Sequence, residues 1–572
     1  MAVWGQRVDE AIGGRACAHA NDGFGRQIAV NIVGRSDTNF LFDGFGRHVY
    51  SGHLEDRGTL ITLDKDASVD KTIRKILEAD IYDLVQETPL TKAPRLSAKV
   101  GRGVLLKRED LQEIFSFKVR GAYNLMRQLP QAARVRGVIT ASAGNHAQGV
   151  ALAGQTLNIP VTIVMGVNTP AIKRDAVKAR GAKVKLVGEN YDAAAAHAAQ
   201  LARERGLTLI PPFDHEDVIA GQGTIGMEIL RQVRGPVGSI FVPVGGGGLI
   251  AGIASYVKAL CPDIKIIGVE AEGSAGMTEA LRAGRRIKLP AQTLDQFADG
   301  TAVRQVGAKP FNIARRLVDE MITVSIDEIC AAIRDIFEDT RVISEPAGAL
   351  AVAGLKKWVG RSPDGAEGQD IAVVSGANIN FDRLRHISER TAFGAKTELL
   401  LGVTIPEKPG SFLAFCKTLG RQNITEFNYR YSGGGDAQVL VGIETGGSED
   451  ERRPLLKRLT KRYPVTELSD NELAVLHVRH MVGGRSPTLA SESLYRVEFP
   501  ERPGALLNFL EGLGGEHNIT MFHYRNHGAA FGRVLIGLQG AEHQSKALAW
   551  RLQSIGYRFW EESENPARDL FL

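Results

Sequence analysis

The sequence predicts an α/β protein with parallel sheets covered by helices, followed by a smaller α+β region. Between about residues 67 and 390, short apolar stretches alternate with helical segments, which is typical of parallel strands joined by helices. Beyond about residue 396 one arrangement of strand, loop and helix occurs twice. The 572 residues exceed what one hydrophobic core supports, so two or three domains are expected.

Composition narrows the kind of protein. Hydrophobic residues make up 44% and charged residues 24%, which is ordinary for a globular chain. The net charge of +5 is small for this length and comes with no long basic block, so neither nucleic acid nor a membrane is an expected partner. No apolar run can cross a bilayer, and the first residues lack the order of a secretory signal.

The four cysteines, Cys17, Cys261, Cys330 and Cys416, are far apart and lack the spacing of metal ligands. They predict reduced thiols, a cytoplasmic protein and no metal site.

Residues 1–66 form an N-terminal extension to which the sequence assigns no function. The segment is rich in glycine, arginine and aspartate, and the five-residue word at 22–26 recurs at 43–47. Two copies indicate a short hairpin repeat or a disordered arm. A spurious upstream start codon is the alternative.

The segment 67–390 is the predicted catalytic domain. Strands are expected at residues 138–141, 161–165, 184–187, 207–210, 239–244, 264–269 and 371–374. Helices are expected at residues 147–155, 171–180, 192–205 and 223–233. Gly181 and Gly206 follow two of these helices directly, and glycine is the usual residue after a helix end.

The C-terminal region divides into two modules, 396–480 and 490–572. Each begins with a strand and a Pro-Gly loop, at Pro409-Gly410 and Pro503-Gly504. In each copy a helix and two strands are expected next, at 412–419, 423–430 and 438–443 and again at 506–513, 518–525 and 533–538. Two matched copies with the same downstream word identify a tandem repeat.

One lysine is the first candidate for chemistry. Lys118 stands in the stretch Ser116-Phe117-Lys118-Val119-Arg120-Gly121-Ala122, between an aromatic ring and a small-residue turn. A lysine in an apolar niche loses its proton more easily and can form a Schiff base with the aldehyde of pyridoxal 5′-phosphate (PLP). A solvated surface lysine is the ordinary alternative.

A glycine loop is the candidate for binding phosphate. Residues Gly245, Gly246, Gly247 and Gly248 follow a predicted strand, and a helix opens at Leu249. Glycines let backbone N–H groups approach a phosphate, and the helix N-terminus favours its negative charge. A flexible turn is the alternative, but a turn does not need four glycines between a buried strand and an apolar helix.

Two further turns supply polar groups. The stretch from Ser142 to Gly149, which includes Gly144 and Asn145, offers a hydroxyl, an amide and free N–H groups to a carboxylate and a phenolic oxygen. Ordinary helix capping by Ser142 or Asn145 is the alternative. Ser375 follows a predicted strand, and its hydroxyl can donate to an unprotonated pyridine nitrogen, unless it is simply a loop residue.

These motifs, in this order, resemble the fold-type II (tryptophan synthase β-like) PLP enzymes of the threonine dehydratase and serine dehydratase group. The resemblance extends to Ile219-Ala220-Gly221-Gln222-Gly223-Thr224 and Glu345-Pro346-Ala347-Gly348-Ala349. The paired C-terminal modules are similar to the ACT-like regulatory repeats of biosynthetic threonine ammonia-lyases. Only the first 66 or so residues depart from the family pattern.

The resemblance implies a role for each site residue. Lys118 would hold PLP and act as acid and base at the substrate Cα, with Phe117 beside the ring. Asn145 would bind the 3-hydroxyl, and Ser375 would meet the ring nitrogen. Gly245, Gly246, Gly247, Gly248 and Leu249 would cradle the phosphate. Ser142, with the backbone N–H groups of Gly144 and Asn145, would bind the substrate carboxylate.

The implied activity is deamination of L-threonine, and also of L-serine, with L-threonine giving 2-oxobutanoate and ammonia in the first committed step of isoleucine biosynthesis. Isoleucine would inhibit and valine would antagonise it, in a homotetramer. Candidate effector residues are Phe427, Tyr429 and Arg430 in one module and Phe522, Tyr524 and Arg525 in the other. Core strands with an exposed charge are the alternative for these words.

Two other functions stay open at this stage. A serine dehydratase or racemase would use the same scaffold, because threonine differs from serine by one methyl group. A catalytically inactive amino-acid sensor would use the two C-terminal modules alone, although the intact Lys118, glycine loop and Ser375 argue against it.

Overall fold

The computed structural model describes residues 67–361, 367–381, 383–394, 398–406, 411–420, 422, 424–430, 436–445, 449–480, 492–500, 518–525, 531–539, 545–554 and 556–571, together with five short strands before residue 53. The chain divides into two compact units. The N-terminal unit contains residues 1–325 and 332–379, and the C-terminal unit contains residues 326–331 and 380–572.

The five strands before residue 53 are β1 (Ala18–Asn21), β2 (Gln27–Val30), β3 (Val33–Arg35), β4 (Thr38–Phe42) and β5 (His48–Gly52). Strand β1 pairs antiparallel with β2, and β4 pairs antiparallel with both β3 and β5. The two copies of the five-residue word, 22–26 and 43–47, lie outside the described residues. The strands on either side of each copy pair with each other, as the hairpin alternative predicts.

Ten further strands lie in the described part of the N-terminal unit. These are β6 (Leu90–Lys92), β7 (Val104–Arg108), β8 (Val138–Ala141), β9 (Val161–Met165), β10 (Lys183–Leu186), β11 (Thr208–Leu209), β12 (Val237–Pro243), β13 (Lys265–Ala271), β14 (Glu320–Val324) and β15 (Gln369–Val374).

The helices that follow along the chain are α1 (Ala67–Leu77), α2 (Pro94–Val100), α3 (Lys118–Arg127), α4 (Gln131–Arg136), α5 (Asn145–Leu157), α6 (Ala171–Lys178), α7 (Tyr191–Arg205), α8 (Glu216–Gln232), α9 (Gly248–Leu260), α10 (Gly276–Arg282), α11 (Ala308–Leu317), α12 (Ile326–Thr340), α13 (Pro346–Arg361) and α14 (Arg383–Gly394). Helix α14 belongs to the C-terminal unit.

Strands β6 to β15 form two sheets. A four-stranded sheet has the order β10-β9-β8-β11 and is parallel throughout. A six-stranded sheet has the order β14-β13-β12-β15-β7-β6, and only β6 runs antiparallel to its neighbour. The parallel α/β class predicted from the sequence is confirmed. Strand β8 is buried along its whole length, and β12, β13 and β15 are buried beyond their first residue, which explains their largely apolar sequences.

Most predicted elements lie where the sequence placed them, and β8 and β9 have the predicted bounds. The start predicted for α8, at residue 223, is wrong, because the helix begins at Glu216. The ring nitrogen Nδ1 of His215 accepts the Asp217 N–H and so caps the helix. The glycines of the segment hid this longer helix, because glycine is a poor helix former.

The C-terminal unit contains β16 (Glu398–Pro406), β17 (Ile424–Arg430), β18 (Asp436–Glu444), β19 (Val465–Glu467), β20 (Glu492–Pro500), β21 (Asn518–Arg525), β22 (Phe531–Gln539) and β23 (Arg558–Glu561). Its remaining helices are α15 (Ser411–Leu419), α16 (Glu449–Thr460), α17 (Glu472–Leu476), α18 (Ser545–Ser554) and α19 (Pro566–Phe571).

The two modules have the same topology. Their antiparallel sheets have the orders β17-β18-β16-β19 and β21-β22-β20-β23. The sequence predicted the first three strands of each module but not the last helix and strand, α16 with β19 and α18 with β23. The helix predicted at 506–513 lies outside the described residues.

The modules pack on each other within this unit. Leu400 and Leu440 of the first module share one apolar cluster with Leu494 and Leu535 of the second. Asn471 and Asn565 stand at equivalent positions before α17 and α19, and Asn471 Nδ2 donates to Asn565 Oδ1 at 3.0 Å. The repeat seen in the sequence therefore forms one body with related halves.

Two expectations about the whole chain can be compared with the described residues. Within them, no helix is both long and apolar enough to cross a membrane. Neither Cys261 nor Cys330 belongs to a disulfide among the described residues, and burial raises the pKa of the Cys330 thiol.

Candidate functional site

A cavity in the N-terminal unit brings the predicted cofactor residues together. Its wall contains Phe117, Lys118, Asn145, Gly245, Gly246, Gly247, Gly248, Leu249 and Ser375. Ser142 and Gly144, predicted to bind the substrate carboxylate, lie on the turn just before Asn145 and not in this wall.

The sheets explain how distant residues meet. Strand β8 ends just before the Ser142 turn, β12 ends before the glycine loop, and β15 ends at Val374 before Ser375. Ligands of parallel α/β sheets bind beyond the carboxyl ends of the strands, because loops and helix N-termini gather there. The three polar turns therefore face a common space.

Lys118 is the first residue of α3 and reaches into the cavity. The Phe117 N–H donates to Ser375 O at 3.2 Å, which ties the start of α3 to the end of β15. The amine Nζ donates to Pro212 O at 3.2 Å and lies 5.1 Å from the centre of the Phe117 ring. Burial lowers the pKa of the Lys118 amine to about 8, although the nearby Glu345 carboxylate opposes this shift.

A buried charge network holds α3 in place behind Lys118. The Arg120 guanidinium is fully buried and pairs with Glu109 at 2.7 Å and with Glu228 at 2.6 Å. Lys107 pairs with the other oxygen of Glu228 at 2.5 Å. Removing one member of a buried pair costs about 3–5 kcal/mol, so the network fixes the strand β7, the helix α3 and the helix α8 relative to one another.

The glycine loop has no room for side chains. A Cβ atom at Gly246 would lie 2.1 Å from the Phe213 ring carbon Cδ1. Gly247 has a φ of +91°, and a Cβ atom there would lie 2.6 Å from Met277 Cε. A flexible turn would not need these restrictions, whereas a loop that brings its backbone N–H groups to a phosphate does.

Hydrogen bonds fix the Asn145 amide. Its Nδ2 donates to Glu345 Oε1 at 2.7 Å, and its Oδ1 accepts from Asn378 Nδ2 at 2.8 Å. Asn378 Nδ2 also donates to Ile114 O at 2.6 Å, which fixes the direction of the chain of hydrogen bonds. One N–H of Asn145 Nδ2 therefore stays available to an acceptor in the cavity.

The turn before Asn145 is compact and has free space beside it. The Gly144 N–H donates to Ser142 Oγ at 3.2 Å. A Cβ atom at Gly144 would have no neighbour within 4 Å, so a ligand can approach this backbone.

Ser375 is buried and lies in the cavity wall. Its hydroxyl oxygen is 3.4 Å from Ala347 O, which is long for a hydrogen bond between oxygens. The hydroxyl is therefore able to turn toward a ligand.

Several wall residues had no role in the sequence interpretation. Glu345 and Gln222 belong to motifs that were recognised but left without a function. Phe213 and Thr301 carry no motif signal, because their roles depend on packing against the glycine loop.

His146 is buried, and burial together with the Lys118 charge lowers its pKa to about 3, so it remains neutral.

The candidate effector residues lie on equivalent strands of the two modules. Phe427, Tyr429 and Arg430 belong to β17, and Phe522, Tyr524 and Arg525 belong to β21. Both strands are at the edge of their sheet. The side chains of all six, and the two Pro-Gly loops, lie outside the described residues.

The site residues fit pyridoxal phosphate. They line a single cavity in the N-terminal unit. Its wall combines an amine of lowered pKa, a loop open to phosphate and a neutral hydroxyl donor. These are the groups needed for the aldehyde, the phosphate and the pyridine nitrogen.

Comparison with known proteins agrees with this geometry. The family model described as pyridoxal-phosphate dependent enzyme matches residues 81–376. The model described as the C-terminal regulatory domain of threonine dehydratase matches twice, at residues 389–478 and 483–572.

Individual relatives cover much of the chain. The biosynthetic L-threonine dehydratase of Burkholderia multivorans is 49% identical over 504 residues, which are 87% of this chain and 99% of that protein. The processed form of threonine deaminase isoform 2 from Solanum lycopersicum is 46% identical, with a TM-score of 0.56 over 59% of this chain and 98% of that one. Maize serine racemase is 33% identical, with a TM-score of 0.52 over 55% and 95% of the two chains.

Fold and site together define a fold-type II enzyme that depends on pyridoxal phosphate. With two regulatory domains after the catalytic one, the chain belongs to the threonine dehydratase family.

Proposed function

We propose that this chain deaminates L-threonine to 2-oxobutanoate and ammonia, the first committed step of isoleucine biosynthesis. One observation carries the proposal: the Lys118 amine, the glycine loop and the Ser375 hydroxyl line a single cavity, although they are far apart in sequence. Relatives named threonine dehydratase and threonine deaminase support L-threonine as the substrate.

Lys118 is the base of the proposed reaction. Bound pyridoxal phosphate draws electrons from the substrate Cα and so makes its proton acidic. The Lys118 amine takes this proton and holds it at Nζ. With a pKa of about 8, about one tenth of such amines are neutral at pH 7, compared with a negligible fraction for an ordinary lysine.

Ser375 and Asn145 determine how the ligand is held. The Ser375 hydroxyl would donate a hydrogen bond to the pyridine nitrogen without protonating it, which would limit how much negative charge can develop at Cα. The β-hydroxyl would then leave as water, taking up a proton from an acid in the site, in preference to return of a proton to Cα. The Asn145 amide binds the 3-hydroxyl, and Ser142 with the Gly144 and Asn145 N–H groups binds the substrate carboxylate.

The two C-terminal modules regulate the activity in this proposal. Isoleucine inhibits and valine antagonises it, through Phe427, Tyr429 and Arg430 on β17 and Phe522, Tyr524 and Arg525 on β21. An arginine can pair with an amino-acid carboxylate through two hydrogen bonds. The effector must bind one state of the protein better than the other, since equal affinity would change nothing. We also infer a cytoplasmic homotetramer, built from the domains 67–390, 396–480 and 490–572.

A serine dehydratase or serine racemase is the second candidate, because maize serine racemase shares 33% identity. One methyl group changes binding by only about 1–3 kcal/mol, so an enzyme that prefers L-threonine is still expected to accept L-serine as a weaker substrate.

The experiment measures ketoacid release by the purified holoenzyme from L-threonine and L-serine, with and without isoleucine. Release of 2-oxobutanoate from threonine, with higher kcat/KM than for serine and with inhibition by isoleucine, is the expected result. Conversion of L-serine to D-serine without ketoacid release from threonine would identify a racemase instead.

A further inference from the structure

Gln222 is a buried amide without a partner in the wall of the cofactor cavity. Its side chain is 1% exposed and lies on α8. Neither Nε2 nor Oε1 has a hydrogen-bond partner among the described residues. An unsatisfied buried amide costs about 1–3 kcal/mol, so a protein that keeps one needs a compensating interaction.

The position of Gln222 shows what kind of ligand it faces. A Cβ atom built at Gly121 would lie 2.6 Å from Gln222 Nε2, so the amide lies against the first turns of α3. The next residue, Gly223, abuts α9, because a Cβ atom at Gly252 would lie 2.6 Å from the Gly223 nitrogen. Gln222 therefore stands where the first turns of two helices meet.

Both of these helices begin at the cavity. Helix α3 starts at Lys118, and α9 starts at Gly248, the last glycine of the loop. Unpaired N–H groups and the helix dipole make such ends favourable for an anion. A carboxamide beside them serves an anion through its N–H donors, whereas a carboxylate there would repel one.

We propose that Gln222 Nε2 donates a hydrogen bond to the phosphate group of bound pyridoxal phosphate, and so joins the glycine loop in holding that end of the cofactor. The proposal rests on the proposed function, because it needs the cofactor in this cavity. It assigns a role to the one polar side chain of the Ile219–Thr224 motif that lines the cavity.

The test replaces the Gln222 amide while keeping the length of the side chain. The Gln222→Met variant removes both hydrogen-bonding atoms, and Gln222→Glu keeps the shape but introduces a negative charge. Gln232→Met is the matched control on the same helix, because Gln232 already hydrogen-bonds to Lys107, Glu87 and Thr88. Affinities are measured for pyridoxal phosphate and for pyridoxal, which lacks the phosphate, alongside the melting temperature of the cofactor-free protein.

If Gln222 contacts the phosphate, removing its amide should not lower the melting temperature of the cofactor-free protein but should weaken binding of the cofactor. Cofactor-free Gln222→Met should melt at or above the wild-type temperature, because an unpaired amide has been removed. Its affinity for pyridoxal phosphate should fall by about tenfold to a hundredfold, while its affinity for pyridoxal stays within about twofold. Gln222→Glu should lose still more of the preference for the phosphorylated form, and Gln232→Met should keep it.

Inorganic phosphate provides a second probe, which tests the same contact without the cofactor. It should raise the melting temperature of the cofactor-free wild type and do so less for Gln222→Glu. Unchanged preference for pyridoxal phosphate over pyridoxal in a folded Gln222 variant would overturn the inference. Failure of the wild type to bind either compound would instead overturn the proposed function.

Discussion

The chemistry depends on Lys118, and two opposing influences set the pKa of its amine. Burial favours the neutral amine, and the Glu345 carboxylate favours the charged one. Burial wins, so the pKa lies at about 8 and below the ordinary value for lysine. The unfolded chain binds the extra proton up to its own higher pKa. This amine therefore lowers the stability of the cofactor-free protein near neutral pH, and the loss is recovered as the pH rises above 8.

The rate at which the cofactor-free enzyme captures pyridoxal phosphate should depend on the fraction of Lys118 amines that are neutral. This rate should rise with pH to a midpoint of about 8. In Glu345→Gln the hydrogen bond from Asn145 can persist while the negative charge is gone, so the midpoint should move to lower pH. Stopped-flow absorbance against pH measures this shift, with the exposed Glu204→Gln as the control. A midpoint that stays unchanged in Glu345→Gln would show that this carboxylate does not set the charge of Lys118.

Residue identity alone revealed part of the site. Lys118, the glycine loop, Asn145 and Ser375 were predicted because each belongs to a short word with its own chemical logic, and the structure brings them to one cavity. Glu345 and Gln222 were not assigned roles, because a carboxylate or an amide acquires its role from what surrounds it. Arg120 stood beside Lys118 in the same word, but its two buried acidic partners are distant in sequence.

The glycine loop shows how an element limits its own sequence. The Phe213 ring packs against Gly246. A Cβ atom at Gly245 would lie only 2.8 Å from the Cα atom of Thr301. The loop path is therefore determined by packing as well as by the phosphate it is proposed to bind.

Gly246→Ala should weaken pyridoxal phosphate binding by tenfold or more, because the added methyl group would displace the Phe213 ring or the loop. Gly360→Ala is the control: a Cβ atom there meets nothing within 4 Å, and alanine favours the helix that contains it. Cofactor content after dialysis distinguishes the two variants. If Gly246→Ala retained cofactor as the wild type does, the loop would not be a tight cradle.

Elements with strong local signals were predicted well, and those determined by tertiary contacts were not. Strands β8 and β9 are apolar runs with clear ends, so their bounds agree with the structure. Helix α8 contains Gly221, Gly223 and Gly226, which lower its helix propensity but let neighbouring helices approach closely. The short strands β19 and β23 were not predicted, because their sequences have no clear strand pattern and they form by pairing with β16 and β20.

Across the whole molecule, the C-terminal repeat is a paired structure and not two independent modules. The shared apolar cluster and the Asn471–Asn565 hydrogen bond join equivalent parts of the two halves. Such a pair offers two related candidate effector sites, one on each edge strand.

Arg430→Ala and Arg525→Ala test these sites in the full chain. Each should keep the threonine activity measured without effector, because the catalytic cavity lies in the other unit. At least one should require about tenfold more isoleucine for half inhibition, since it loses a charged hydrogen bond to the effector carboxylate. Unaltered isoleucine inhibition in both variants, and in the double variant, would exclude these arginines as effector ligands.

The central claim is that the cavity amine of Lys118 carries out the deamination, and ketoacid release by Lys118→Ala tests it most directly. The exposed Lys183→Ala serves as the matched control. The expected result is loss of nearly all 2-oxobutanoate release from L-threonine in Lys118→Ala, with wild-type release in Lys183→Ala. Turnover by Lys118→Ala at the wild-type rate would contradict the account.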